Sequence, residues 1–141
     1  MTCATALRDA VTIYEIYLLH GLEELLRRHS KDLAERQTTP PMWKLREFYI
    51  SLLDIDPGAG AVGEVLDVRN VISHRRGSLR SVKRGHQFVN VTRQLADKVA
   101  HMDEPATLSY MDLLGGAVRK LDPVLYVYTW GGRRLKSLSA I

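Results

Sequence analysis

The sequence predicts an all-α domain, and three observations carry that prediction. From Ala6 to about Arg36, the residues Leu7, Ala10, Val11, Tyr14, Tyr17, Leu18, Leu22, Leu25 and Leu26 recur at the three- and four-residue intervals of a long amphipathic helix. A second series, Leu108, Met111, Leu114, Val118 and Leu121, repeats that spacing near the other end of the chain. Between the two there is no alternation of strand and helix patterns and no glycine-rich phosphate loop with its lysine, which argues against a nucleotide-binding α/β fold. The architecture expected is a helical bundle of about four to five helices, two long ones bracketing shorter ones. It forms a single domain over 1–130, with 131–141 a flexible basic tail carrying Arg133, Arg134 and Lys136.

Thr2 or Thr5 starts the first helix, and Thr38-Thr39-Pro40-Pro41 stops it, because proline lacks an amide hydrogen and biases the preceding residue away from helix. A second helix follows from about Pro41, with Trp43, Phe48, Ile50, Leu52 and Leu53 as a broad apolar surface. Asp56-Pro57-Gly58-Ala59-Gly60 is a loop of turn-forming residues. The third helix runs from about Ala61 to Arg76 and ends at Gly77, placed as a left-handed cap. Ser78 to Gly85 is polar and basic, and Gln87-Phe88-Val89-Asn90-Val91 reads either as a short extended segment or as a helix lead-in. Thr92 is the N-cap expected for a short helix through about His101, Pro105 marks a break, and Thr107 caps the last helix. Gly115 and Gly116 permit a close helix contact there, and Pro123 kinks that helix.

The chain has 141 residues and is 45% hydrophobic, enough for one core that buries about two-thirds of the unfolded surface without disulfides. Its single cysteine, Cys3, has no partner for an internal disulfide, and no Cys/His cluster has the spacing of a structural zinc site, so no metal and no cofactor are expected. The N-terminal residues lack a basic leader followed by an apolar run, and no apolar stretch reaches membrane-spanning length, which points to a cytoplasmic protein without a membrane partner. A net charge of +4 favours anionic partners only weakly; its distribution says more. Arg69, Arg75, Arg76, Arg80, Lys83 and Arg84 fall between positions 69 and 84 with no acidic residue among them.

On the third helix Val65, Val68 and Ile72 fall on one narrow stripe, while Asp67, Asn70 and His74 form a polar line on the opposite side. Arg69 and His74 are then roughly 140° apart on an ideal helix, so they do not stack directly. Leu66 and Val71 sit off the stripe and suggest a second contact, such as a dimer interface. A histidine exchanges protons near neutrality, and an arginine is a permanent bidentate ligand for phosphate. Together they suit phosphodiester cleavage without metal. The imidazole of His74 takes the proton of a ribose 2′-hydroxyl or gives one to the departing 5′-oxygen, and Arg69 stabilises charge on the phosphorus oxygens. Asn70 orients the histidine or binds the sugar-phosphate.

The string Arg69-Asn70-x-x-x-His74 resembles the R-[NDH]-x-x-x-H motif of the HEPN superfamily. The longer run Val68-Arg69-Asn70-Val71-Ile72-Ser73-His74-Arg75-Arg76-Gly77 is similar to the branch in which an Asn- or Arg-rich pair and a Gly follow the motif, as in RiboL-PSP-HEPN-like domains. The segment Leu7 to Leu18, with its aromatic-Glu pair Tyr14-Glu15, resembles that branch's first helix, so the likeness spans the first two-thirds of the chain. It implies a bundle that dimerises so that two motifs face one cleft, and a metal-independent endoribonuclease of the kind used as toxins or in antiviral defence. It makes Arg69 and His74 the catalytic pair, with Asn70 beside them. RNA is then the substrate, and the resemblance allows an antitoxin or another defence component as partner. The alternative is a non-catalytic HEPN-like module that dimerises and binds RNA or protein. Position 76 is Arg where the toxin branch paired with nucleotidyltransferases has a Tyr, which puts regulation through that Tyr in doubt.

The remaining candidates carry two readings each. Glu15 either points inward to orient Arg69 or is solvated. Arg75, Arg76, Arg80, Lys83 and Arg84 either contact phosphates or form a solvated basic loop. His20 and Glu24, one turn apart, are two-thirds of a metal site at most and suit a surface pair better. His29, His86 and His101 read as surface residues, with His86 among basic neighbours. Tyr126, Tyr128 and Trp130 near Arg133 and Arg134 either pack the last helix or stack on bases. Ser73 lacks the elbow and acid partner of a serine hydrolase.

Overall fold

The computed structural model describes residues 2–29, 40–73, 81–84, 87–90, 98–99 and 101–135. Its framework is all-α: four helices, α1 (Cys3–His29), α2 (Met42–Leu53), α3 (Ala61–Ser73) and α4 (Glu104–Thr129), are present among the described residues. One antiparallel hairpin accompanies them, β1 (Ser81–Arg84) with β2 (Gln87–Asn90), in the register Ser81 to Asn90 and Arg84 to Gln87. Gln87 to Asn90 therefore takes the extended of its two readings, and Ser81 to Arg84, expected in a polar loop, is a strand. Thr38, Thr39, Gly77 and Thr92, expected as stops and caps, lie outside the described residues. The chain divides into two compact units, Met1–Ile13 with Gly58–Gly116 and Tyr14–Pro57 with Ala117–Ile141.

In the first unit α1 begins at Thr2, whose hydroxyl accepts the Thr5 amide at 3.1 Å. Leu7 and Val11 of α1 are buried, as are Val65, Leu66, Val68 and Val71 of α3 and Thr107 and Leu114 of α4. Helix α3 follows Gly60, which takes a left-handed φ of 61°, and Gly63 sits so close to the loop that an added Cβ would come within 2.8 Å of the Gly58 carbonyl oxygen. Lys98 forms an ion pair with Glu64 of α3. The start of α4 corrects the expected cap. Asp103, not Thr107, accepts the Ala106 amide at 2.9 Å, and the buried Thr107 hydroxyl donates back to the Asp103 carbonyl at 2.8 Å. Pro105 lies inside the helix it was expected to precede; in the first turn its missing N–H costs no bond.

In the second unit Tyr14, Leu18, Leu22, Leu25 and Leu26 of α1 are buried, with Leu45, Tyr49, Leu52 and Leu53 of α2 and Leu121 and Leu125 of α4. Pro41 is the N-cap of α2 rather than its first residue, and its carbonyl accepts the amides of Lys44 and Leu45 at 3.0 Å. That helix closes through Asp54, a left-handed residue (φ 59°) whose amide reaches the Ile50 carbonyl at 3.0 Å. Beyond the cap, Arg46 grips Asp56 in a bidentate pair, both bonds 2.8 Å. Helix α4 carries Pro123 in its interior and continues to Thr129.

Buried tyrosine hydroxyls fasten this unit. Tyr49 donates to the Leu18 carbonyl at 2.7 Å and Tyr14 to the Pro57 carbonyl at 2.5 Å. Burial raises the Tyr14 phenol from its ordinary 10.0 to about 12, and the Asp56 carboxylate adds to the rise while Arg46 opposes it. Burial likewise pushes the Tyr49 phenol up.

These contacts make the unit sensitive to one added methyl group and to alkali. A Cβ at Gly21 would come within 2.6 Å of the Tyr49 hydroxyl and 3.0 Å of Leu125 Cδ1. Gly21→Ala, which in an open helix stabilises by about 1 kcal/mol, should here destabilise by about 1–2 kcal/mol in urea unfolding. Tyr49→Phe alone should cost about 1 kcal/mol, and the double variant should be more stable than the sum of the two single losses, because the atom in the way is gone. In alkali, an unfolded tyrosine loses its proton near 10, whereas folded Tyr14 holds it to about 12. This contribution is full below about pH 10 and is lost as pH rises through about 12. Stability measured across that window should fall less steeply in Tyr14→Phe than in the native chain.

Candidate functional site

The candidate site is built on the last turns of α3. At about 100° per residue, half-buried Arg69 and Asn70 and exposed Ser73 fall within an arc of roughly 100°. Leu66, one turn earlier on that arc, is only 4% exposed, so the arc is closed at its N-terminal end and opens from Arg69 onward. Arg69 Nε donates to Asn70 Oδ1 at 3.1 Å. The adjacent residues of the motif thus hold one another, and the carboxamide fixes the plane of the guanidinium, a requirement for paired N–H bonds to an anion. Strand β1, whose backbone carries Lys83 and Arg84, comes within 8 Å of the α3 backbone. His74, Arg75, Arg76 and Arg80 lie outside the described residues, as does His86.

Three expectations about α3 are corrected. Asp67, placed on a polar line with Asn70 and His74, is only 7% exposed. Its direction lies about 40° from that of Val71, and Val71 is itself buried, so both share the covered side. Leu66 and Val71 were expected to be surplus apolar groups, yet the single chain leaves them 4% and 1% exposed. No second copy is needed to cover them. Ile72, expected on the core stripe, is only half-buried.

The other candidates are placed as follows. Glu15 is half-buried on α1 and belongs to the second unit, while Arg69 belongs to the first. His20 is exposed, and Glu24 pairs with Arg27 at 2.8 Å. Among the described residues no three His, Cys, Asp or Glu side chains gather as metal ligands. His29, expected at the surface, is half-buried and its ring Nε2 meets the Tyr128 carbonyl oxygen at 2.9 Å, a contact across 99 positions that no local pattern announces. Two of the cation–aromatic pairs near the end of α4 are internal: Arg28 lies 3.6 Å from the Trp130 ring centroid and Arg133 5.3 Å from that of Tyr128. No described helix is long and apolar enough to cross a membrane.

Comparison of the chain with protein-family models, with curated proteins and with solved structures finds no match.

If the chain itself covers Leu66, its removal is felt within the monomer. Leu66→Ala should lower the unfolding free energy by about 2–4 kcal/mol, and the loss should not change with protein concentration, as it would if the cover came from a second copy.

Proposed function

We propose that the protein is a metal-independent endoribonuclease of the HEPN type, acting as a toxin or an antiviral effector, with Arg69 and His74 as its catalytic pair. The observation that carries this reading is the Arg69–Asn70 bond of 3.1 Å on a helix of an all-α framework, within the string Arg69-Asn70-x-x-x-His74. A held guanidinium suits an anion whose charge grows during reaction, because its orientation need not be found again at each turnover. The ribose 2′-oxygen attacks the adjacent phosphorus, and the bond from phosphorus to the 5′-oxygen breaks. His74 takes the 2′-hydroxyl proton or supplies the one that the leaving oxygen needs, and Arg69 carries the charge on the non-bridging oxygens. The products are a 2′,3′-cyclic phosphate and a 5′-hydroxyl. Arg75, Arg76, Arg80, Lys83 and Arg84 hold the RNA backbone. Two copies of the chain complete the cleft in this reading. Its support is the resemblance of the motif, since the apolar groups of α3 are already covered within one chain.

Pure protein incubated with RNA in EDTA is the direct test. His74→Ala should slow cleavage by about 10²–10⁴-fold and Arg69→Ala by about 10²–10³-fold, while Asn70→Ala, which only loosens Arg69, should cost roughly tenfold. Cleavage that survives His74→Ala, or that requires Mg²⁺, overturns the assignment. Salt-sensitive RNA retention without cleavage would identify a binding module instead.

A further inference from the structure

Tyr17, His20 and Glu24 of α1, Asp122 and Tyr126 of α4, and Trp130 just beyond α4 line an open cavity of about 390 Å³, within the size range of small-ligand sites. Among the described residues no lysine or arginine lines it. Tyr126 and Trp130 are 65% and 60% exposed, a large aromatic area left in water beside a concavity. The two carboxylates differ in how far their charge is balanced. Glu24 is paired with Arg27 at 2.8 Å and lies 3.8 Å from Arg28. Asp122 accepts the Tyr17 hydroxyl at 2.8 Å, a neutral donor, and no cation pairs with it among the described residues. The Asp122 carboxylate therefore stands beside ring faces with a neutral donor on it.

These features select the ligand by exclusion and by fit. Arg27 and Arg28 are taken up by Glu24 and the Trp130 ring and do not line the cavity, so the phosphates of a nucleotide would meet the Asp122 carboxylate without a lining lysine or arginine to offset it. A strongly hydrated metal ion finds too few oxygens and too much ring surface. A bulky cation of low hydration suits both walls, since its charge is attracted to Asp122 and its alkyl groups to the negative faces of the rings. Trp130 already shows that affinity, with the Arg28 guanidinium over its ring at 3.6 Å. We propose that this cavity between α1 and α4 binds the head of a small alkylated ammonium compound, with Tyr126 and Trp130 as its aromatic walls and Asp122 as its counter-ion. The proposal uses no residue of the α3 motif and stands whether or not the chain cleaves RNA.

Choline and its neutral isostere 3,3-dimethylbutan-1-ol separate charge recognition from apolar contact. In NMR titrations of the full chain, choline should shift the Trp130 indole N–H resonance saturably, and the isostere should not. Asp122→Asn, which keeps an acceptor for Tyr17, should raise the choline Kd roughly fivefold or more. Trp130→Leu should raise it roughly three- to thirty-fold, read from the neighbouring amides. Tyr126→Leu is the parallel variant should Trp130→Leu disturb the end of α4. Absence of a saturable shift with choline, equal binding of the isostere, or an unchanged Kd in Asp122→Asn would each overturn the proposal.

Discussion

Tyr49 is 1% exposed and still carries a hydroxyl that needs an acceptor, and the second unit is arranged to supply one. The acceptor is the Leu18 carbonyl of α1, whose backbone is already committed to its own helix. A phenol can reach that oxygen only if the neighbouring turn leaves room, and Gly21 leaves it. One polar bond therefore fixes the register of α2 on α1, forbids a Cβ at Gly21 and places Leu45, Leu52 and Leu53 against the buried side chains around them. Tyr14 repeats the device at the loop that follows α2, by holding the Pro57 carbonyl. Apolar burial supplies most of the driving force, but it is non-directional. The tyrosine bonds select one arrangement among many that would bury similar area.

Much of this was readable in the sequence, and the parts that were not share a cause. The buried residues of α1, Leu7, Val11, Tyr14, Leu18, Leu22, Leu25 and Leu26, all belong to the series that its spacing picks out; Ala10 and Tyr17 of that series are half-buried, and the apolar Ile13 and Ile16 outside it face water. Helix α2 is apolar on several sides, so spacing cannot choose among its faces. Of the expected Trp43, Phe48, Ile50, Leu52 and Leu53, the structure buries Leu52 and Leu53, half-buries Trp43 and Phe48 and leaves Ile50 44% exposed, and it adds Leu45 and Tyr49 to the buried set. The start of α4 offers two capping residues four positions apart; Pro105, read as a break, is compatible with a first turn, and so the earlier residue, Asp103, is the cap. His29 and the Tyr128 carbonyl lie too far apart in the chain for any local rule.

For the candidate site, adjacency in sequence was the legible part. Arg69 and Asn70 are neighbours whose side chains meet, and the motif already named both. What periodicity could not show is which side of α3 is covered. A stripe drawn through Val65, Val68 and Ile72 assumes one packed face, but burial extends through Leu66, Asp67 and Val71, and beyond its more open first turn the helix shows water only a limited arc near its end. The chemistry of the motif therefore rests on a small opening after the covered middle of the helix, and not on a broad polar face.

That covering limits how the site can adapt. Turning α3 about its axis far enough to re-aim Arg69 would bring Leu66, Val68 or Val71 toward water, at about 1.5–3 kcal/mol for each side chain fully exposed. Gly63, set tightly against the Gly58 carbonyl, leaves no slack at the other end of the helix. Adjustment to different ligands is thus confined to the rotamers of Arg69 and Asn70. The helix behaves as a fixed axle, and whatever meets the arginine must come to it.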